Sequence, residues 1–218
     1  IEYYTDLAKQ LSDMGADSIC LKDMAGILTP AVAKDLIPAI KAVTDVPLNL
    51  HTHATSGVSQ MTYLVAVEAG VDIIDTAISP FAEGTSQPST ESTALAFKEL
   101  GIDTHLNIDI LEEIADYFKG IRNKYLENEI LDPKMLFSDP KALIYQVPGG
   151  MLSNLNSQLR EAGASDKYDD VLNEVPNVRE DLGFPPLVTP MSQMVGTQAV
   201  FNILTGERYK MVPTEIKD

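Results

Sequence analysis

The feature that most constrains the fold is an alternation of two hydrophobic periods along the first hundred residues. Residues 1–14 place Ile1, Tyr4, Leu7, Ala8, Leu11 and Met14 at helical spacing, and Gly15 stops the helix. "DSICL" (17–21) is then an apolar run of strand length. Residues 30–43 open with Pro30 and carry Val32, Leu36, Ile37, Ile40 and Val43, again helical, before a second strand at "VPLNL" (46–50). A third helix at 58–69, closed by Gly70, precedes a third strand at "VDIID" (71–75). Strand starts recur roughly every 25–30 residues, the period of right-handed βα crossovers in a parallel sheet. The expected class is therefore α/β. Each strand leads into polar or Gly-rich sequence, "KDMAG", "HTHATSG" and "TAISPFAEGTSQPS". Parallel α/β folds carry their chemistry at that end.

The strand signal fades after about residue 105. Residues 109–125 repeat Ile110, Leu111, Ile114, Tyr117, Phe118 and Ile121 on one face, and 152–162 and 190–204 show the same period. Pro140, Pro148, Pro176, Pro185 and Pro186 punctuate the region. The expected organisation is one α/β domain over 1–105 and a mainly helical one over 106–218. The 218 residues suffice for both.

A net charge of −16 repels phosphate backbones and excludes a nucleic-acid partner. No apolar run approaches a membrane span. Cys20 is the single cysteine, so no disulfide can form within the chain, which fits a reducing cytoplasm. Its setting in "SICL" suggests a buried thiol. The opening "IEYYTDLAKQ" reads as a helix rather than a secretion signal, and it lacks a starting Met, so the sequence is expected to begin within a longer protein.

Two of the three histidines stand two apart in "LNLHTHATSG" (48–57). Side chains at i and i+2 of a strand share a face, so His51 and His53 aim together and can clasp one divalent cation. A pair of hydrogen-bonded histidines at a strand end is the plainer alternative. A borderline cation also seeks oxygen, and the nearest candidates are Lys22 and Asp23 after the first strand and Asp75 after the third. Alternation forbids Lys22 and Asp23 from both facing inward. A neutral Lys22 could add CO2 and become an anionic carbamate ligand; otherwise it is a buried or rim cation.

"CLKDMAGILTP" (20–30), "LHTHATSG" (50–57), "GTSQPS" (84–89) and "YQVPGGMLSNL" (145–155), in this order, resemble the carboxyltransferase domain of biotin-dependent enzymes. That family holds pyruvate carboxylase, the oxaloacetate decarboxylase alpha subunit and transcarboxylase. "LVTPMSQMVGTQAVFNILTGERYK" (187–210) is similar to the decarboxylase alpha subunit and to the B subunit of two-subunit pyruvate carboxylases. The resemblance implies the last three strands of a TIM (β/α)8 barrel followed by a helical domain. It implies a divalent metal (Zn, Co or Mn) on His51, His53 and carbamylated Lys22. A further aspartate and the pyruvate-binding arginine and glutamine would come from the first barrel strand, which no position here matches. The chain alone is thus expected to be an incomplete site with exposed strand edges.

The same resemblance implies that Ser153, where the family has threonine, shuttles a proton between biotin and the pyruvate methyl group. Capping a helix at 154–162 is the alternative role for Ser153. Gly149 and Gly150 would turn the backbone beside biotin or substrate, or form an ordinary turn after Pro148. Biotin would be the carboxyl carrier, on a biotinyl domain or subunit, with pyruvate or oxaloacetate as the exchanging substrate. Membrane decarboxylase subunits or a biotin carboxylase subunit would be partners of what is expected to be a homodimer. The sequence leans to the oxaloacetate decarboxylase alpha subunit. The B subunit of pyruvate carboxylase, transcarboxylase, an aldolase-type acyl-CoA lyase and a non-catalytic assembly fragment are the alternatives. Against the lyase, Ala54 follows the HxH where those enzymes typically have Asn, and Lys22 is present.

Overall fold

The structure, a computed structural model, describes residues 1–217 except 146, 148 and 189, with the backbone alone for 134, 149, 150 and 153. The chain forms two compact units, Ile1–Asp139 and Pro140–Asp218. The division falls later than the expected 105/106, because the helix expected at 109–125 packs on elements of the first unit.

In the first unit, α1 (Glu2–Asp13), β1 (Ile19–Asp23), α2 (Pro30–Lys41), β2 (Leu48–Thr52), α3 (Ser59–Glu68) and β3 (Ile73–Ile74) follow the expected alternation. The strands pair in parallel in the order β1-β2-β3. The register sets Ile19 beside Leu48, Leu21 beside Leu50 and Lys22 beside His51. Period-2 alternation then divides the side chains. Ile19, Leu48 and Leu50 lie in a core with Leu36, Ile37 and Ile40 of α2 and Tyr63 and Ala66 of α3. Cys20, Lys22, Asn49 and His51 share the opposite face.

That division overturns the expected burial of Cys20. Its thiol is exposed, because it shares a face with Lys22 rather than with its apolar neighbours. β1 and β2 also run further along the chain than "DSICL" and "VPLNL". Their last residues are polar because they face the site, so apolar character does not mark them.

After β3, a short 3₁₀ turn (Ser79–Phe81) leads to α4 (Thr90–Glu99), which the periodicity does not reveal. The buried side of α4 comprises Glu91, Ala94 and Phe97, a set with one large apolar residue and one charged residue, which makes no apolar stripe. The Ser89 side chain caps α4 by accepting from the Ser92 amide at 3.4 Å. The long α5 (Ile108–Glu127) stacks Phe118 edge-on against Phe81 with centroids 6.0 Å apart.

The second unit is helical: α6 (Lys141–Tyr145), α7 (Gly149–Glu161), α8 (Tyr168–Asp181), α9 (Met191–Thr205) and α10 (Thr214–Lys217). Helix α8 was not expected. Pro176 reads as a breaker but sits inside it, and Val171, Leu172, Val175 and Val178 bury on one face. They pack with Met151, Leu155 and Leu159 of α7 and Val195, Ala199 and Val200 of α9. Gly196 allows the close approach, since a Cβ there would lie 3.0 Å from Met151 Cε.

A polar network closes this unit. Glu174 Oε1 accepts from Asn202 Nδ2 at 2.8 Å and Arg208 Nε at 2.7 Å, and Oε2 accepts from Asn177 Nδ2 at 3.0 Å. Asn202 Oδ1 accepts from Gln198 Nε2 and the Tyr209 amide. Burial pushes the Glu174 carboxyl up, but the donors from Asn177, Arg208 and Asn202 outweigh it and hold the group below its ordinary range. In a Glu174→Leu variant the buried donors lose their acceptor at a cost of about 3 kcal/mol. Amide exchange over residues 195–211 at pH 7 is expected to accelerate roughly a hundredfold. The stabilisation is present above the ordinary carboxylate pKa and lost as pH falls through the lower folded value, because the unfolded chain then binds more protons. The difference between variant and parent should therefore shrink in acid.

Candidate metal centre

The site assembles where β1 and β2 end. His51 is the fourth residue of β2 and His53 follows the strand, its amide donating to the Asp23 carbonyl at 3.1 Å and so extending the parallel ladder. Both imidazoles therefore leave the same side of the chain, and their Nε2 atoms stand 3.2 Å apart.

The other ring nitrogens are tied to acceptors. His51 Nδ1 donates to Asp75 Oδ2 at 2.8 Å, and His53 Nδ1 donates to the Thr85 carbonyl at 2.6 Å. A carboxylate and a carbonyl only accept, so each neutral ring carries its proton on Nδ1 and its lone pair on Nε2. Burial lowers the pKa of His53, and the neighbouring His51 and Lys22 add to the shift; the Thr85 carbonyl and Asp23 act against it. Two lone pairs then face each other across 3.2 Å, an arrangement that a cation between them stabilises. The spacing is that of adjacent ligands about 2.1 Å from a shared ion. The residues present thus fit a divalent cation, with Asp75 and Thr85 as the outer partners that orient the rings.

Lys22 lies on the same face, directly across the register from His51. Asp23 points the other way. Its Oδ1 accepts from the Ile27 amide at 3.1 Å, and its Oδ2 from Leu28 at 2.8 Å and Thr52 Oγ1 at 2.6 Å. Asp23 thereby shapes the "KDMAG" loop instead of facing the histidines. Asp75, expected as an oxygen donor to the cation, instead holds His51 and, through Oδ1, accepts from the Asn49 side-chain Nδ2 at 3.2 Å. Tyr63, buried beneath, donates its hydroxyl to the Asp75 carbonyl and accepts from the Thr52 amide at 3.3 Å, locking the ends of β2 and β3.

Gly149 and Gly150 form the first turn of α7, and Ser153 lies inside that helix rather than capping one that starts at 154. The Ser153 side chain lies outside the described residues. Among the described residues no group of three His, Cys, Asp or Glu side chains converges as a metal site. Sequence reasoning missed Gln87, whose Nε2 lies 3.3 Å from His51 Nε2 and 3.2 Å from His53 Nε2. The "GTSQPS" motif was the only available signal, and it does not say which of its residues faces the pair.

Parallel strands with crossover helices, and two histidines paired where a strand ends, define an α/β domain with a candidate divalent-cation site. The chain belongs to the HMGL-like family, which it matches over residues 1–117, and residues 142–218 match the conserved carboxylase domain. It is 55% identical to the B subunit of pyruvate carboxylase from Methanocaldococcus jannaschii, covering 99% of this chain and 38% of that protein. It is 50% identical to the methylmalonyl-CoA carboxyltransferase 5S subunit of Propionibacterium freudenreichii subsp. shermanii, covering all of this chain and 43% of that protein. A carboxyl transferase domain of Rhizobium etli pyruvate carboxylase, solved with pyruvate and biocytin, superposes with a TM-score of 0.87 at 34% identity, over 95% of this chain and 34% of that one. The chain thus spans less than half the length of these relatives. No described helix is long and apolar enough to cross a membrane.

Proposed function

We propose that this chain is part of a biotin-dependent carboxyltransferase that carboxylates pyruvate to oxaloacetate. The observation that carries the reading is the facing pair of Nε2 lone pairs on His51 and His53. Support for the pyruvate carboxylase B subunit over the decarboxylase alpha subunit comes from two relatives of the former name, 55% and 53% identical. A biotin carboxylase subunit and a biotinyl carrier domain are then its partners.

His51, His53 and a carbamylated Lys22 would hold the divalent cation. When bound, it supplies positive charge beside the carbonyl oxygen that becomes negative as pyruvate loses a methyl proton. Asp75 and the Thr85 carbonyl keep both rings turned inward. The Ser153 hydroxyl would pass the proton between the pyruvate methyl group and the ureido nitrogen of biotin, whose carboxylated form would supply the CO2 that the enolate carbon takes up. Serine retains the hydroxyl needed for both halves of that relay.

The test uses the full-length protein. Lys22→Ala removes the carbamate and is expected to lower both bound metal and isotope exchange between pyruvate and oxaloacetate by more than about 100-fold. Full metal occupancy with parental exchange would rule the reading out.

A further inference from the structure

Gln87 is held in place by its own loop. The Glu83 amide donates to the Gln87 carbonyl at 2.8 Å, the Ala54 amide to the Ser86 carbonyl at 2.6 Å, and the Thr85 amide to the Met135 carbonyl at 2.9 Å. The end of its side chain is therefore presented to the histidine pair by backbone contacts on both sides. Its Nε2 and the two imidazole Nε2 atoms form a nearly equilateral triangle with edges of 3.2, 3.2 and 3.3 Å. Three ligand atoms that share one cation at about 2.0–2.1 Å are spaced in this way.

A carboxamide end can present either a donor or an acceptor at nearly the same point. While no cation is present, two lone pairs need a donor, and the NH2 group supplies it to both rings. Once a cation engages those lone pairs, an NH2 hydrogen aimed at it is repelled, and half a turn of the amide brings Oε1 to the same place. The far side of the amide meets Ser86 Oγ at 3.3 Å. That hydroxyl donates to Oε1 in one orientation and accepts from Nε2 in the other, so the rotation sacrifices no hydrogen bond.

We propose that Gln87 caps the His51–His53 pair, its NH2 group satisfying both rings in the ion-free protein and its oxygen becoming a further protein ligand, beside the two histidines and the Lys22 carbamate, when a divalent cation binds. The inference rests on the divalent-cation reading of the pair and adds a neutral oxygen donor to it. A neutral donor strengthens binding without adding charge, leaving the carbamate as the anionic ligand on this chain.

The experiment titrates chelator-stripped full-length protein with Co2+, following the visible d–d bands, for the parent, Gln87→Leu, Gln87→Glu and His51→Ala. Gln87→Leu is expected to weaken Co2+ binding about tenfold or more and to move the bands. Gln87→Glu, which retains an oxygen, is expected to bind at least as tightly as the parent with bands close to it. Parental affinity and spectrum in Gln87→Leu overturn the inference, as does a Gln87→Glu variant that binds like Gln87→Leu. A parent with no bands sensitive to His51→Ala overturns the cation reading itself, a failure distinct from the first.

Discussion

Gly26→Ala is expected to damage the cation site without touching any ligand. Gly26 has φ +65°, and a Cβ there would collide with the His53 carbonyl oxygen and lie 3.1 Å from the Thr55 amide nitrogen. Left-handed backbone costs alanine roughly 1–2 kcal/mol, and the clash is with backbone rather than a side chain that could swing aside. The neighbourhood has little freedom to yield. Ser56 Oγ donates to the Gly26 carbonyl, and the Asp23 carboxylate ties the same loop to Thr52. The "KDMAG" loop must therefore separate from residues 53–55, at a total cost of about 3 kcal/mol or more. His53 moves with that segment and leaves its partner at Thr85. In the full-length protein the expected result is a lower unfolding temperature together with cation affinity weakened at least about tenfold. Parental values of both would show that the loop yields without moving His53.

Removing either imidazole should have the largest effect on function. His51→Ala and His53→Ala are each expected to lower cation affinity by more than about 100-fold and to abolish carboxyl exchange in the full-length protein. Losing a ligand outright should exceed the effect of disturbing the groups that orient it. His105→Ala is the control. His105 is exposed and, among the described residues, pairs locally with Asp103 at 3.1 Å, so cation content and exchange should match the parent. Loss in the control equal to that at His51 would show that the effect is not specific to the site.

Much of the fold was legible because a parallel βα repeat writes both of its periods into the chain, and packed helices write one. Helices α2, α7 and α9 follow apolar stripes that their cores then bury, whereas α1 buries only Ala8 of its stripe and the stripe of α5 leaves Ile110, Ile114 and Tyr117 exposed. Helices α4 and α8 escaped for opposite reasons. One buries a charged Glu91 and only a single large apolar residue, Phe97, and the other carries a proline that its packing tolerates. The lean towards the decarboxylase rested on the C-terminal motif, which two kinds of protein share, so the motif itself could not choose between them.

The sequence by itself determined that His51 and His53 share a face, because the side-chain period of an extended chain is a local property. It determined also that Lys22 and Asp23 must part. Only the tertiary structure decided which of the two shares the face of His51, since that depends on the register of β1 against β2. Only the fold brought Asp75, Thr85 and Gln87 to the rings, through a strand and a loop more than twenty residues further along the chain. Tautomer, burial and the position of each lone pair follow from those long-range partners, and no local pattern in the chain encodes them.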